Sequence, residues 1–256
     1  MASYRTALVT GASSGIGRAF AVALAKRGTT VVAVARRRDR LEQLAEEVGN
    51  VEVLEADLTD EEQLVGVEKR LANTDNPIDL VVNCAGFGTQ GRFATLPAEV
   101  EDRQVRLNVL AVVRLTRAAL PGMIERGHGA VVNVSSVAGH QPIPLWATYS
   151  ASKAFVTTFT RAVAAELRGT GVQLLTLLPG FTQTEFQDHS GFERKLIPGP
   201  FWMTPAEVVT AALRDLDRGR VHSFPGIHNR IVAAASRMSP WALTRRVLRV
   251  GTRKLW

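Results

Sequence analysis

Short apolar segments alternate with helix-forming segments along most of this chain, and the alternation limits the folds open to it. Buried strands separated by helices form a parallel sheet, because each connecting helix crosses one face of the sheet. Seven segments are predicted as strands, over residues 4–9, 30–35, 51–55, 79–83, 131–135, 172–178 and 221–224. We therefore expect one α/β domain built on a doubly wound parallel sheet of about seven strands.

The composition agrees with a single domain over residues 1–225 and excludes several classes of protein. With 256 residues, 46% of them hydrophobic, the chain can bury one large core. One cysteine, Cys84, excludes an internal disulfide, and the five histidines show no ligand spacing, so no metal site is expected. The first residues lack the architecture of a signal peptide, and no apolar run reaches the ~18 residues that span a bilayer. We expect a cytoplasmic protein.

The net charge of +7 comes from the end of the chain. No acidic residue follows Asp217, whereas nine basic residues do. Residues 226–256 are interpreted as a basic amphipathic helical tail, with arginines on one face of its last helix and apolar residues across from them. Such a helix binds peripherally to an anionic membrane, or docks on its own body or on a second subunit; both interpretations stay open here. No interleaved aromatic platform is evident, so no nucleic-acid partner is expected.

A glycine-rich loop joins the first predicted strand to the first predicted helix. Gly11, Gly15 and Gly17 have the spacing Gly-x-x-x-Gly-x-Gly, and Ser13 and Ser14 lie between them. Glycines at this position let the backbone approach a pyrophosphate, whose charge is stabilised at the helix N-terminus. An ordinary strand-to-helix turn needs no such set of glycines, so the loop predicts a dinucleotide site.

Arginines follow the second predicted strand, where a dinucleotide fold meets the adenosine ribose. An acidic residue there suits a free 2′-hydroxyl, and an arginine suits a 2′-phosphate. Arg36 is the first residue after the strand and is predicted to contact that phosphate, which favours NADP(H). Arg38 and Arg40 are interpreted as solvated charges that open the next helix.

A Tyr-x-x-x-Lys step places Tyr149 and Lys153 on one face of a predicted helix over residues 147–168. A lysine beside a phenol lowers the pKa of the phenol, which would make Tyr149 a proton donor and acceptor near neutral pH. Ser136 ends a strand thirteen residues before the tyrosine, where its hydroxyl can point at a substrate oxygen. Alone the step is a weak signal, because most such pairs lie on helix surfaces.

Two further residues have a structural and a functional interpretation. Asn108 lies inside a long predicted helix over residues 98–125, where asparagine is a poor helix former. It is either a tolerated polar residue or a side chain that disturbs the helix and holds water near the active site. Cys84 is interpreted as a packed residue rather than a nucleophile, because no histidine partner is evident.

With these pieces in order, the chain resembles the short-chain dehydrogenase/reductase family in its single-domain type. The resemblance covers about residues 4–224, and it is specific because each motif stands at the expected step. The motifs are residues 10–17, Asp57-Leu58, Asn83-Cys-Ala-Gly86, Asn108, Ser136, Tyr149-x-x-x-Lys153 and Pro179-Gly180. The resemblance implies a Rossmann fold and hydride transfer between NAD(H) or NADP(H) and a carbonyl/alcohol pair.

The resemblance also implies roles for individual residues. Tyr149 would be the acid/base, and Lys153 would lower its pKa and bind the nicotinamide ribose. Ser136 would hydrogen-bond the substrate oxygen, Asn108 would support a water-linked proton relay, and Ser135 would point to the other side of the strand end. The implied cofactor-binding residues are Gly11, Ser13, Ser14, Gly15, Ile16, Gly17, Arg36, Asp57, Leu58, Asn83, Ala85, Gly86, Tyr149, Lys153, Pro179, Gly180 and Thr182.

Aromatic residues are predicted to surround an apolar substrate pocket. The segment over residues 181–203 lacks clear periodicity, and we expect it to move and to cover that pocket. The alternative is that its rings only pack the segment onto the body. The predicted pocket residues are Phe87, Trp146, Phe181, Phe186, Phe201 and Trp202, and Phe192 lies in the same segment.

The prediction is thus an NADPH-dependent oxidoreductase acting on an apolar ketone or aldehyde, or on the corresponding secondary alcohol. A homo-oligomer, either a dimer or a tetramer, is expected, although the chain lacks the Val-x-Gly-Gly ending of many tetrameric members, and Cys84 replaces the usual second asparagine of its motif. One alternative is a non-catalytic NADP sensor, which would not need an acid/base. Another is an epimerase or dehydratase on the same fold, whose relatives usually carry an added substrate domain.

Overall fold

A computed structural model of the protein describes residues 4–186, 199–226 and 229. The strands are β1 Thr6–Thr10, β2 Thr30–Ala35, β3 Val51–Glu55, β4 Leu80–Asn83, β5 Gly129–Val134, β6 Val172–Leu177 and β7 His222–Ser223. The helices are α1 Gly15–Ala25, α2 Arg38–Val48, α3 Glu61–Leu71, α4 Ala98–Val105, α5 Ala111–Glu125, α6 Ala147–Glu166 and α7 Pro205–Asp217. Short 3₁₀ turns cover Phe93–Thr95, Val137–His140 and Gly199–Phe201.

The seven strands form one parallel sheet in the order β3-β2-β1-β4-β5-β6-β7. β1 pairs with both β2 and β4, so the order of the strands reverses at β1. In an open parallel sheet, ligands bind outside the carboxyl ends of the strands at such a reversal. The prediction of a Rossmann-type, doubly wound sheet is therefore confirmed.

Two hydrophobic cores lie on opposite faces of the sheet, because successive strand residues point to opposite faces. In β1, Ala7 belongs to the first core and Leu8 to the second. The first core also contains Phe20 of α1 and Leu213 of α7, and the second contains Leu115 of α5. The helices are thereby fixed against both faces, which gives the loops at the carboxyl edge a rigid support.

The long helix predicted over residues 98–125 is one helical stretch with a π-helical turn, Arg106–Leu110, in its middle. Asn108 lies in that turn and is completely buried, which favours the interpretation that its side chain disturbs the helix. By length and composition alone, the stretch is apolar enough to cross a membrane. Leu115 and Met123 pack in the second core, however, as side chains of a core helix do.

Thr204 and Glu207 form a capping box at the start of α7. The Thr204 hydroxyl accepts a hydrogen bond from Glu207 N at 3.3 Å, and the Glu207 carboxylate accepts one from Thr204 N at 2.8 Å. β7 is shorter than predicted because Pro225, which has no N–H to donate, follows soon after it. The predicted tail helices beyond residue 229 and the ring of Phe192 lie outside the described residues.

Candidate active site

Ser136, Tyr149 and Lys153 meet at the carboxyl edge of the sheet. Ser136 follows β5, and its hydroxyl adjoins Tyr149 in the first turn of α6 and accepts a hydrogen bond from Ala138 N at 3.1 Å. Lys153 lies one turn later, with Nζ 5.8 Å from the centre of the Tyr149 ring. Ser135 donates instead to Lys153 O at 2.7 Å, so it points to the other side of the strand end, as expected. The acid/base candidate therefore has a hydroxyl and an amine as neighbours.

The Lys153 amine is buried and is fixed by a carbonyl of the sheet. Nζ donates to Val134 O at 2.9 Å, and the residue is 6% exposed. Burial lowers the pKa of this amine to about 8, although the nearby Cys84 opposes that change. Lys153 is accordingly still protonated in large part at neutral pH, and its direction is set by the backbone of β5.

Burial has the opposite effect on the pKa of the phenol. Loss of hydration raises the pKa of Tyr149 to about 12, and the hydrogen bond with Ser136 offsets this only in part. The expectation that Lys153 brings this pKa toward neutrality is wrong for the protein alone, because desolvation dominates. The phenol is thus a protonated donor at neutral pH.

Asn108 clamps the loop that follows β4. Its Nδ2 donates to Phe87 O at 2.9 Å, and its Oδ1 accepts from Phe87 N at 3.2 Å. Nδ2 also reaches Ser152 Oγ on α6 at 3.1 Å. A Cβ on Gly86 would lie 2.9 Å from Asn108 Oδ1 and 3.5 Å from Lys153 Nζ, so only glycine lets the loop pass here. The water relay through Asn108 stays a prediction.

A buried polar network behind the site was not predicted. Asn83 Nδ2 donates to Asn133 Oδ1 at 2.8 Å and to Thr116 Oγ1 at 3.2 Å. Asn133 Nδ2 in turn donates to Thr160 Oγ1 at 3.0 Å. The network ties β4 and β5 to α5 and α6. The side-chain donor of Asn83, a predicted cofactor ligand, is therefore engaged within the protein.

The glycine loop has the shape that its sequence requires. Gly11 and Gly15 have φ angles of +69° and +56°, in the left-handed region that favours glycine. A Cβ on Gly17 would lie 2.3 Å from Gly11 O, which leaves no room for a side chain. Thr10, which the sequence analysis missed, accepts hydrogen bonds at Oγ1 from the N–H groups of residues 84 and 85, at 2.9 and 3.0 Å. The loop and the first turn of α1 fit a pyrophosphate.

Two arginines, and not only the predicted one, lie at the end of β2. Arg36 Nη1 is 3.6 Å from Asp57 Oδ2. Burial raises the pKa of the Asp57 carboxyl, but the hydrogen bonds from Thr59 and the charge of Arg36 together lower it by more than that. The net change is a lower pKa, so the carboxyl is ionised. Arg37 Nη2 donates to Ser13 Oγ at 3.1 Å and so reaches the glycine loop. Both arginines fit the position of a ribose 2′-phosphate.

A cavity of about 420 Å³ opens beside the glycine loop. It is lined by Ser13, Ser14, Gly15, Arg18, Arg40, Gln43 and Glu185. Arg38 pairs with Glu42 at 2.7 Å on the exposed surface of α2, as its interpretation as a solvated charge implies. The same interpretation is wrong for Arg40, which lines the cavity and pairs with Glu185 from the segment that follows β6.

Four further predicted cofactor residues, Ile16, Leu58, Gly180 and Thr182, are packed against other parts of the protein. Gly180 has no room for a side chain, because a Cβ there would lie 2.1 Å from Asn229 Oδ1. Thr182 is buried and donates from Oγ1 to Gly180 O at 3.1 Å. The side chain of Leu58 belongs to the second core and that of Ile16 packs against the first, so either could meet a cofactor only through its backbone.

Two of the predicted pocket residues lie directly on Tyr149. The ring centres of Trp146 and Phe186 are 5.6 and 5.3 Å from that of Tyr149, and 6.4 Å from each other. A Cβ on Gly88 would lie 3.0 Å from an atom of each of these three rings. Gly88 thus makes room for the cluster, a role that the sequence analysis missed.

The other predicted pocket residues are placed differently. Phe181 and Trp202 form a second ring pair, with centres 5.5 Å apart, and Phe201 is 43% exposed. Phe87 enters the site through its backbone, which Asn108 holds. Within the described part of the segment over residues 181–203, Phe186 is thus the predicted pocket residue that packs on Tyr149.

Cys84 has the character of a packed residue. Burial raises the pKa of its thiol to about 12, although Lys153 opposes that change. A protonated thiol is a poor nucleophile, which agrees with its interpretation as a packing residue. Within the described residues, no group of three or more His, Cys, Asp or Glu could hold a metal ion.

Comparisons with known proteins identify similar sequences and structures. A sequence model of the short-chain dehydrogenase family matches residues 5–194. An uncharacterized oxidoreductase of Myxococcus xanthus (strain DK1622) is 39% identical over 228 residues, which cover 87% of this chain and 88% of that protein.

Two solved structures share this architecture. The short-chain dehydrogenase from Sphingobium yanoikuyae in complex with NADPH is 37% identical, with a TM-score of 0.82, over 95% of this chain and 94% of that chain. The bulky-bulky ketone specific alcohol dehydrogenase from Comamonas testosteroni is 34% identical, with a TM-score of 0.78, over 93% of this chain and 94% of that chain.

Proposed function

Because this chain belongs to the short-chain dehydrogenase/reductase family and is therefore an oxidoreductase, we propose that it transfers a hydride between NADP(H) and an apolar ketone or aldehyde, or the corresponding secondary alcohol. The observation that carries the proposal is the grouping of Ser136, Tyr149 and Lys153, with Asn108 behind them, at the carboxyl edge of the sheet. When bound, the nicotinamide supplies the hydride for reduction or accepts it in the reverse direction.

In the proposed reduction, the chain's own residues manage the charge and the proton at the substrate oxygen. The hydroxyls of Ser136 and Tyr149 adjoin each other, so both can donate to one carbonyl oxygen held between them. As negative charge develops on that oxygen, the phenol of Tyr149 releases its proton to it. Its raised pKa, about 12, keeps it protonated until that moment.

Lys153 and Asn108 support these hydroxyls in different ways. The Lys153 ammonium, directed by Val134 O, lies close enough to Tyr149 to stabilise the phenolate that remains after proton transfer. Asn108 holds the backbone of Phe87 and thereby fixes the wall of the crevice. A non-catalytic sensor would not need this arrangement, which favours the enzyme.

A preference for NADP(H) is supported by the arginines at the end of β2. Arg36 is adjacent to Asp57, and Arg37 reaches Ser13 of the glycine loop. Guanidinium groups match phosphate oxygens in geometry and charge. The similar dehydrogenase from Sphingobium yanoikuyae was solved with NADPH, which agrees with this preference.

An apolar substrate is supported by the rings around Tyr149. Trp146 and Phe186 offer carbon surfaces to whatever approaches the phenol. The described residues around the phenol include no carboxylate pair or arginine clamp suited to a charged keto acid. The similar enzyme from Comamonas testosteroni is specific for bulky-bulky ketones, which agrees with this class of substrate.

The proposal is tested by following the consumption of NADPH with a panel of carbonyl compounds. The panel contains polycyclic ketones, alkyl aryl ketones and small charged keto acids, and the same compounds are repeated with NADH. We expect turnover with the apolar ketones and a higher kcat/KM with NADPH. Faster turnover of the charged keto acids would overturn the substrate class, and equal kcat/KM with the two cofactors would overturn the preference.

The assembly and location of the enzyme are part of the same proposal. Val105, Ile124 and Phe155 are 42–44% exposed on α4, α5 and α6, and apolar exposure of this kind favours a homo-oligomer. Light scattering on the purified protein would show a dimer or tetramer. We propose a cytoplasmic enzyme, which fractionation of the producing cells would test.

A further inference from the structure

A carboxylate from the second half of the chain lies among the arginines proposed to recognise the cofactor phosphate. Glu185 Oε2 is 3.0 Å from Arg37 Nη1, and Glu185 Oε1 pairs with Arg40 Nη1. Arg37 uses its other nitrogens for Ser13 Oγ, at 3.1 and 3.4 Å. Both oxygens of Glu185 are therefore engaged, and its arginine partners lower the pKa of the carboxyl.

The residues on either side of Glu185 contact the other two parts of the site. A Cβ on Gly15 would lie 3.1 Å from Thr184 Cγ2, so Thr184 packs on the glycine loop. The ring of Phe186 packs on Tyr149, with centres 5.3 Å apart. Three consecutive residues thus rest on the pyrophosphate loop, on the phosphate-binding arginines and on the catalytic tyrosine.

We propose that Glu185 is a specificity-determining residue that competes with the 2′-phosphate of the cofactor for Arg37 and Arg40. A 2′-phosphate displaces Glu185 from these arginines, and the displaced segment carries Phe186 away from Tyr149. A cofactor without that phosphate leaves Glu185 paired and Phe186 in place. This inference rests on the proposed function, in which the enzyme uses NADP(H).

The displacement follows from the charges and geometry of the two groups. A carboxylate and a phosphate bind the same face of a guanidinium, and both use two oxygens. A phosphate monoester carries nearly two negative charges at neutral pH, against one for Glu185, so it wins the exchange. Once the phosphate is bound, the displaced carboxylate is repelled from it. Because Glu185 and Phe186 are adjacent in the chain, a backbone shift that takes the carboxylate away from the arginines also moves the ring.

The first test measures binding of two nucleotide fragments by calorimetry. Adenosine 2′,5′-bisphosphate carries the 2′-phosphate, and 5′-AMP does not. The substitution Glu185→Gln keeps the shape of the side chain and removes its charge. Since exposed ion pairs are weak, we expect Glu185→Gln to bind the bisphosphate roughly three- to tenfold more tightly than the wild type, with 5′-AMP little changed.

A matched variant separates competition from a general change of charge. Glu42→Gln removes the same charge from the exposed Arg38–Glu42 pair on α2, outside the cavity. Glu42→Gln should leave both affinities near the wild-type values. An equal affinity of Glu185→Gln and wild type for the bisphosphate would overturn the proposal, and so would equal tightening in both glutamine variants.

The two proposals fail in different ways. If the enzyme did not prefer NADP(H), the wild type would bind the bisphosphate no more tightly than 5′-AMP, and the role of Glu185 would fall with it. If only the role of Glu185 were wrong, the wild type would still prefer the bisphosphate, but Glu185→Gln would not change its affinity.

The coupling to Phe186 is tested by kinetics at saturating cofactor. With NADH, the wild type keeps Phe186 on Tyr149, so its kcat is limited by that contact. Glu185→Gln should raise kcat with NADH severalfold and leave kcat with NADPH unchanged, because the phosphate already displaces the wild-type carboxylate. An unchanged kcat with NADH would overturn the coupling.

Discussion

The catalytic side of the site and the segment that faces it are held by different kinds of contact. On the catalytic side, Lys153 and Asn108 bond to the carbonyls of Val134 and Phe87. On the facing segment, Glu185 pairs with arginine side chains whose exposed fractions are 37% and 40%. Buried bonds to the backbone fix a geometry, whereas exposed ion pairs are weak and easily exchanged. The groups proposed for catalysis are therefore held by the backbone of the fold, and those proposed for cofactor selectivity are held by exchangeable ion pairs.

The comparison predicts that the largest effect comes from the catalytic side. Tyr149→Phe removes the proton donor and keeps the ring packing on Trp146 and Phe186, so kcat should fall by ~10²–10⁴-fold. Binding of NADPH, measured by fluorescence titration, should stay near the wild-type value. A variant that kept more than about a tenth of kcat would exclude Tyr149 as the acid, since general acid catalysis is worth more than that.

The pH dependence should differ between the two directions of the reaction. Because the pKa of Tyr149 is raised to about 12, the phenol is protonated at neutral pH and reduction has its donor. Oxidation needs the phenolate, whose fraction rises about tenfold per pH unit below the pKa. From roughly pH 6 to 7.5, where Lys153 with its pKa of about 8 stays largely protonated, the kcat/KM for alcohol oxidation should therefore rise, while that for reduction does not. A flat oxidation profile would contradict the raised pKa.

Asn108→Leu tests whether the buried clamp, rather than the tyrosine alone, holds the catalytic side in place. It leaves the N–H and C=O of Phe87 without their partner, which costs about 1–3 kcal/mol of stability. Misplacement of the crevice wall should lower kcat by up to about 100-fold. Thermal unfolding and steady-state kinetics measure the two effects. Leu110→Ala, at an exposed position of the same π-turn, is the control and should change neither by a comparable amount.

On the phosphate side, we expect a change of preference with little change in the chemistry. Arg36→Asp should flatten or reverse the preference for NADPH over NADH, because it replaces a cation with an anion beside the ribose. Arg37→Ala should weaken the binding of NADPH by about tenfold, because it removes one charged hydrogen-bonding group. Arg38→Ala, on the exposed surface of α2, serves as the control. If the ratio of kcat/KM with NADPH to kcat/KM with NADH stayed unchanged in both variants, the 2′-phosphate would have to bind elsewhere.

The smallest effect is expected from the basic tail, which belongs to neither side of the comparison. If residues 226–256 contact an anionic membrane, vesicles containing anionic lipid should sediment part of the enzyme at low salt and release it at high salt. Because Asn229 packs against Gly180, substitution of Arg245, Arg246, Arg249 and Arg253 by glutamine is a better test than truncation. If the wild type did not bind vesicles and the substitutions altered the oligomeric state, the tail would be an assembly element instead.

The sheet, the glycine loop and the position of Tyr149 were predictable because local patterns determine them. Apolar segments separated by helices identified the strands, and the bounds of β2 and β3 agree with the prediction. A set of glycines between a strand and a helix is a specific signal for a dinucleotide site. The spacing from Ser136 to Tyr149 became meaningful once both residues were placed on neighbouring elements.

Contacts between distant parts of the chain could not be predicted in the same way. Glu185 lies 148 residues from Arg37, and nothing in either local sequence indicates that they meet. The pKa of Tyr149 was predicted with the wrong sign because the sequence shows a lysine four residues away but not how deeply the phenol is buried. The interpretation of Arg40 as a solvated charge failed for a similar reason, since its partner comes from beyond β6.

The π-turn at Arg106–Leu110 also bears on whether the protein can lose a residue there and still function. A π-turn holds one residue more than the α-helical turn it replaces, and each helical residue advances the chain by about 100°. Deleting one codon in this turn would restore a regular α-helix with α4 and α5 still in register, but it would remove or rotate the side chains within the turn. Asn108 would then lose its hydrogen bonds to the backbone of Phe87. We therefore expect selection to remove single-residue deletions in this turn and to accept substitutions at the exposed Leu110.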